Sequence, residues 1–290
     1  MKENNFLQVK GYGDLVALVA VLNHLGFDDK ARIFISPHLA DLAIAITIRN
    51  LSRAEFIELS YLGSGLPALF DIKKRGLTNA VRSLLDLSKS LREQPWQSFI
   101  VDNFSIRERI LSSLSRKTIL GLPVERSIYK AYEALIIGAT SDKDVPTASM
   151  CNETDVFNSG RVSIFPRSRV SNKDLSDDTV RVLVKALEAA GIAYQISLLP
   201  YEVISHEFSD SVKYLDADFG IVIDEILQSS HIITADTLAC HLATLLRIKV
   251  FPILNIKNDY FLPPGIIRHE RWSLAGDVDL VRRLSDFVSE

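Results

Sequence analysis

The stretch IITADTLACHLATLL, residues 232–246, decides how the chain is read. Its first residues, Ile232 to Ala235, are apolar and rich in β-branching, which predicts a short buried strand. Asp236-Thr237 then breaks the run, and the apolar residues that follow predict a helix carrying His241. A strand that opens straight into a helix turns backbone N–H groups and the Thr237 hydroxyl toward whatever sits at the helix N-terminus. Such an end suits a phosphate or a diphosphate. Thr237 and His241 are four residues apart and share one helical face. The plainer alternatives are that Asp236 is a helix N-cap and that His241 is a satisfied core histidine.

About seventy residues earlier the chain runs VSIFPRSRVSNK, residues 162–173. Here a strand leads into a loop holding Arg167, Ser168, Arg169 and Lys173. Cations in that position suit a diphosphate, although a solvated loop would look the same. One junction supplies a helix end and the other supplies cations, as the two sides of one anion site would.

Outward from these junctions, strand-like and helix-like runs alternate along the whole chain, which is the α/β pattern of parallel sheets. FLQVKG (6–11) predicts the first strand. Asp14 to Leu25 predicts a helix with Leu15, Leu18, Val19, Leu22 and Leu25 on its buried face. Ala31 to Ser36, Phe56 to Leu59, Ser98 to Asn103 and Lys117 to Leu122 predict four more strands, and Thr78 to Leu91 and Ser105 to Leu114 predict helices between them. LADLAIAITI (39–48) is too short to span a bilayer and reads as a buried element. From Ala139 to Gly160 the chain is polar and aperiodic, as a linker is. The alternation then restarts. Ser176 is expected to cap a helix that buries Val180, Leu183, Val184 and Leu187 and stops at Gly191. AYQISLL, HIITAD and VFPIL follow as strands, and Val278 to Val288 as an amphipathic last helix. Two domains are expected, 1–145 and 160–290, with the last helix packing back on the first.

Composition narrows the function classes. The 290 residues are 47% hydrophobic and 24% charged, so substantial cores are expected and disorder is not. A net charge of −3 argues against bulk binding to nucleic acid; Lys73-Lys74-Arg75 is a local basic cluster and reads as a solvated helix end. Cys151 and Cys240 have no metal-ligand spacing and form no disulfide framework; Cys240 reads as a small packed residue. The polar start MKENNFLQVK has no signal-peptide core, and no apolar run is long enough to span a bilayer. A soluble cytoplasmic protein is expected, with peripheral contact to the inner face of the cytoplasmic membrane left open.

In the first half, Asp14 follows Gly11-Tyr12-Gly13 at a strand-to-helix turn. The glycines would let the backbone turn tightly, and the carboxylate would project from the carboxyl end of the sheet, where open α/β sheets bind ligands. Asp14 as a simple N-cap is the alternative. A dinucleotide fingerprint is incomplete, since its third glycine is missing. Asp216-Ala217-Asp218 could pair carboxylates on a divalent cation, but such triplets are common by chance, and no metal site is expected.

Taken together, these motifs resemble glycosyltransferase family nine, the heptosyltransferase family, which has the GT-B fold. The family carries a Gly-Asp junction after its first strand, here Gly13-Asp14. Its second domain opens with a strand, a proline loop and a lysine, here Phe165-Pro166-Arg167 running to Lys173. Its Asp-Thr-Gly-x-x-His-Leu-Ala motif stands here as Asp236-Thr237-Leu238-Ala239-Cys240-His241-Leu242-Ala243.

The resemblance implies two Rossmann-like α/β domains with parallel sheets facing a central cleft. It also implies an inverting, metal-independent transfer of a sugar from a nucleotide-diphosphate donor, ADP-heptose-like or another nucleotide sugar. The acceptor would be a glycan or glycolipid of bacterial lipopolysaccharide or surface polysaccharide. Asp14 would be the general base, with Gly11 and Gly13 on the acceptor side. Ser168, Arg169, Lys173, Thr237 and Leu238 would hold the donor diphosphate, with His241 on the same helix, Asp236 on the donor sugar and Glu202 on the ribose. The chain departs from the family at Leu238, at Asp174-Leu175-Ser176 and at Leu254-Asn255-Ile256, all around the donor site, which leaves the donor open. A non-catalytic sugar-nucleotide or glycan-binding relative and a sugar-nucleotide epimerase of GT-B form are the alternatives.

Overall fold

A computed structural model describes residues 4–9, 11–60, 76–102, 106–139, 160–168, 171–268 and 271–289. Lys73-Lys74-Arg75, Cys151, Arg169 and nearly all of the 139–160 stretch lie outside the described residues. The chain divides into two compact units, Met1–Thr147 and Ala148–Glu290.

Unit 1 is built on strands β1 (Asn4–Gln8), β2 (Ala31–Ile35), β3 (Glu55–Glu58), β4 (Ser98–Val101) and β5 (Thr118–Gly121). They form one parallel sheet in the order β3-β2-β1-β4-β5. Helices α1 (Tyr12–His24), α2 (Ala40–Ile48), α3 (Leu77–Glu93), α4 (Ile106–Ser115) and α5 (Ile128–Ala139) lie along the chain between and after the strands. The sequence expectation for α1 is corrected in one respect. Every residue from Leu15 to Leu22 is buried, not one stripe, because the segment is apolar all round and sinks whole into the interior. The opposite correction applies to α2, expected to be buried: Ile44 and Ile48 on its outer side are 55% and 70% exposed.

Unit 2 is built on β6 (Val162–Phe165), β7 (Tyr194–Leu198), β8 (Val212–Tyr214), β9 (His231–Ala235), β10 (Lys249–Leu254) and β11 (Ser273–Leu274). These give a parallel sheet in the order β11-β10-β9-β6-β7-β8. Its helices are α6 (Asp177–Ala189), α7 (Phe219–Leu227), α8 (Leu238–Leu245), α9 (Pro264–Arg268) and α10 (Leu280–Ser289). As expected, Ser176 caps α6 by accepting from the Thr179 N–H, and Gly191 follows at φ +68°. The last helix α10, expected to reach back to the first domain, lays Leu280, Leu284 and Phe287 into the core of unit 2 beside Val180 and Leu183 of α6.

Residues alternate across β6. Val162 and Ile164 enter that core, while Ser163 between them meets a buried carboxylate, Glu225 of α7. Glu225 also accepts from Arg161 at 2.7 Å and from Lys213 at 2.6 Å. Burial pushes this carboxyl up, but the Lys213 and Ser163 hydrogen bonds and the Arg161 charge outweigh it and hold it below its usual range. Glu225 is therefore a clamp between α7 and the sheet.

In each sheet the chain reverses its direction of travel between two neighbouring strands: β1 and β4 in unit 1, β6 and β9 in unit 2. Loops leaving the carboxyl ends of such strands diverge and open a crevice, where sheets of this kind bind ligands. The three motif segments leave β1, β6 and β9.

Candidate functional site

In unit 2, Phe165 at the end of β6 stands in register with Thr234 near the end of β9. The two following loops are thereby neighbours, and Lys173 Nζ lies 2.7 Å from Asp236 Oδ2. Lys173 sits on a 3-10 turn, Ser171–Lys173, and keeps about two-fifths of its side chain exposed. Its ammonium also lies 5.7 Å from the ring centroid of Phe261, which follows β10.

Asp236 is not the cap of α8; the N-cap is Thr237. Ser176 and Asp218 cap α6 and α7 with their side chains, but Thr237 makes no capping bond to α8. Its hydroxyl instead lies 3.0 Å from the Thr234 hydroxyl. The N–H groups of the first turn of α8 are thus left without the side-chain acceptor that the other two helices have, beside a lysine. That is a positively polarised end suited to an anion. Leu238 begins α8 in helical geometry and is not among the residues at positive φ, so this position makes no demand for glycine on backbone grounds.

His241 lies buried behind this end. Burial pushes its imidazole down to about 4; the Asp236 charge opposes that shift and the Lys173 charge adds to it. At neutral pH it is an uncharged ring packed behind the ion pair. Cys240 is buried beside it, and burial raises its thiol well above the usual value, in keeping with a packed residue.

The loop carrying Lys173 is shaped by residues that sequence reasoning assigned elsewhere or missed. Arg167, read as one of three cations for a diphosphate, is used within the fold. It donates to Val203 O at 2.8 Å, to Leu175 O at 2.5 Å and to Asp177 Oδ1 at 2.6 Å. The Leu175 N–H closes the loop on Pro166 O, and the Ser168 N–H donates to Asp174 Oδ1 at 2.7 Å. Asn255, just past β10, donates to both Asn172 O and Asp174 O, at 2.9 and 2.8 Å. Two of the three departures from the family pattern, Asp174-Leu175-Ser176 and Leu254-Asn255-Ile256, therefore hold each other. The only sequence signal was that both follow a strand on the same edge of one sheet.

Glu202 lies past β7, and its Oε2 accepts the Leu199 N–H at 2.7 Å. Burial raises its carboxyl and the Asp174 charge raises it further, while Arg167 lowers it; it thus feels the Lys173 loop without being bonded to it. Asp218, half of the triplet considered for a cation, uses Oδ1 to cap α7 through Gly220 and Ile221 N–H. Among the described residues no cluster of three or more His, Cys, Asp or Glu could hold a metal ion.

In unit 1 the N-cap of α1 is Gly11, and Asp14 sits in the first turn. Gly11 is extended (φ −110°, ψ 151°), and neither it nor Gly13 is at positive φ, so a tight turn is not what the glycine serves. A Cβ on residue 11 would lie 2.8 Å from Asp14 Oδ2. The carboxylate folds back over Gly11, and glycine is what leaves it room. Tyr12 beside it stacks edge-on against His38, at 5.7 Å between centroids, and His38 Nδ1 lies 2.6 Å from Ser36 Oγ. Ser36 and His38 follow β2 and were not singled out in the sequence, although a Ser-Pro-His step after a strand marks a loop on the carboxyl edge.

No protein-family model and no curated protein matches this sequence. Solved structures do resemble it in fold. One is the E. coli heptosyltransferase WaaC with ADP, at TM-score 0.64 and 12% identity over 98% of this chain and 99% of that one. Another is the E. coli ADP-heptose lps heptosyltransferase II, at TM-score 0.59 and 14% identity over 98% of both. A glycosyl transferase of family 9 from Veillonella parvula DSM 2008 aligns at TM-score 0.56 and 13% identity over 91% and 85%. At such identities the likeness establishes the fold: two parallel α/β units of the GT-B, heptosyltransferase-like kind.

Proposed function

We propose that the protein is an inverting, metal-independent glycosyltransferase using a nucleotide-diphosphate sugar and a glycan or glycolipid acceptor, in lipopolysaccharide or surface polysaccharide synthesis. The observation that carries this reading is the Lys173–Asp236 pair set at the α8 N-terminus, which lacks a side-chain cap, at the switch point of the second sheet.

In the reaction the acceptor hydroxyl oxygen attacks the anomeric carbon and its proton passes to the Asp14 carboxylate. The bond from that carbon to the diphosphate oxygen breaks, and the diphosphate departs with the electron pair. General-base help of this kind is worth ~10²–10⁴-fold. Lys173 and the first-turn N–H groups of α8 meet the charge growing on the diphosphate. Asp236, already hydrogen-bonded to Lys173, is placed to orient that ammonium and to accept from a sugar hydroxyl. Arg169 and Ser168 belong to the same donor loop, and Glu202 is assigned to the ribose. Arg167 is left out of the donor site because each of its three guanidinium nitrogens already donates within the fold.

The test is release of nucleoside diphosphate from a panel of nucleotide sugars in the presence of extracted surface glycans. Turnover by the wild type and none by Asp14→Asn is expected. Donor binding without turnover under any acceptor would favour the non-catalytic relative instead, and interconversion of the free nucleotide sugar would favour the epimerase.

A further inference from the structure

Lys173 is held from three neighbouring strands of the second sheet. The sheet order sets β10 beside β9 and β9 beside β6, so the loops leaving these strands follow one another along the carboxyl edge. Lys173 belongs to the loop after β6. Asp236, after β9, accepts from its ammonium at 2.7 Å. The loop after β10 reaches over to the first loop with Asn255 and sets Phe261 against the ammonium.

Asn255 acts on the backbone rather than on the charge. Its Nδ2 donates to Asn172 O at 2.9 Å and to Asp174 O at 2.8 Å, the carbonyls on either side of Lys173. A side-chain amide has two N–H donors, and both are used here. Both partners are carbonyl oxygens, so the NH2 end and not the amide oxygen must face them. The closing bond of the 3-10 turn Ser171–Lys173 runs from Asp174 N–H to Ser171 O at 3.2 Å. Two tethers that straddle residue 173 fix the direction in which its side chain leaves the turn more firmly than that bond alone. Further along the β10 loop, the 3-10 turn Asp259–Phe261 runs into Leu262, which is fully buried. That anchor keeps the Phe261 ring 5.7 Å from the ammonium.

Asn172 and Asn255 are exposed. Water can replace the amide at either carbonyl, so these bonds add little to folding stability. Their effect falls on the lysine, whose flexible stem must be ordered when an anion binds; a root set in advance lowers that cost.

We propose that Asn255 is a positioning residue for Lys173, setting the 171–174 backbone so that the ammonium stands at the α8 N-terminus before a diphosphate arrives. The diphosphate is taken from the transferase reading; the placement of the lysine is not, and two readouts on the intact protein separate them. In the first, lysines carry 13C at Cε. The Lys173 signal, identified by its loss in Lys173→Ala, should stand away from the position of an unstructured lysine because of Asp236 and the Phe261 ring. Asn255→Leu should bring it more than halfway back, with Tm close to wild type. In the second, ADP or UDP, whichever the wild type binds, is titrated by calorimetry. Asn255→Leu should weaken binding roughly three- to tenfold, but less than about twofold when Lys173 is already Ala. Ile256→Ala, at an exposed neighbour on the same loop, should move neither readout. A Lys173 signal unmoved by Asn255→Leu, an equal loss of affinity with and without Lys173, or an Ile256→Ala effect as large as that of Asn255→Leu would each overturn the proposal. Failure of the wild type to bind either nucleotide would count against the transferase reading, and the lysine signal would still decide this one.

Discussion

Both units place a strand-to-helix junction at the switch point of a parallel sheet, and the two junctions are built to opposite electrical ends. At α1 the first turn holds a carboxylate, Asp14, folded over a glycine that gives it room. At α8 the carboxylate stands one residue before the cap and is bonded to Lys173, and Thr237 makes no capping bond to the helix. A carboxylate over a helix N-terminus is stabilised there and can take a proton from a substrate. A lysine beside a helix end without a side-chain cap can hold an anion. Equal topology therefore does not mean equal chemistry; one residue at each junction sets the sign.

Removing the acidic side should show the largest effect. Asp14→Asn is expected to lower kcat by ~10²–10⁴-fold while leaving donor affinity unchanged, as measured by nucleoside diphosphate release and by calorimetry. Loss of affinity with unchanged kcat would erase the contrast between the junctions.

The next effect is in stability and belongs to unit 2 alone. His241 is held down to about 4 in the folded protein, against 6.5 for the free side chain. Between those values the unfolded chain binds the proton and the folded chain does not, so stability rises with pH across that window. Acidification from pH 6.5 to 4 should cost about 3 kcal/mol through this group. His241→Gln should flatten that part of the pH profile of denaturant unfolding, and an unchanged slope would remove the histidine from the account.

Lys173→Ala comes third. Losing one charge-assisted contact should weaken nucleoside diphosphate binding by roughly 10–100-fold, and Lys173→Arg should recover part of it. Gly11→Ala should be the mildest. Its methyl must displace Asp14 Oδ2 from 2.8 Å, so kcat should fall by a few-fold, on the order of 1 kcal/mol, with Tm nearly unchanged. A drop in Tm without a change in kcat would mean that the glycine serves the helix rather than the carboxylate.

Much of the fold was legible because parallel strands buried on both faces read as short apolar runs, as at Val162–Phe165 and His231–Ala235. Helix ends were legible where one residue acts alone, as Ser176 and Gly191 do. The errors have physical causes. Arg167 looked like a ligand because sequence shows its charge and not the three acceptors that enclose it, at Leu175, Asp177 and Val203. Asn255 stands out in the sequence only as a departure from the family pattern, and its bonds are not legible there because its partners lie more than eighty residues upstream. Glu225 escapes notice because the Asp224-Glu225 pair reads as the solvent side of an amphipathic helix. At α1, a segment apolar on every side was assigned a single buried face. The neighbourhood of Asp236 and Lys173 was foreseen from two loops after two strands, but their ion pair was not.

The most direct test of this division of labour is a calorimetric titration of one nucleoside diphosphate, bound by the wild type, into Asp14→Asn and Lys173→Ala side by side. The account requires the first to bind within about twofold of wild type and the second at least roughly tenfold more weakly. Weak binding by Asp14→Asn together with wild-type binding by Lys173→Ala would contradict it.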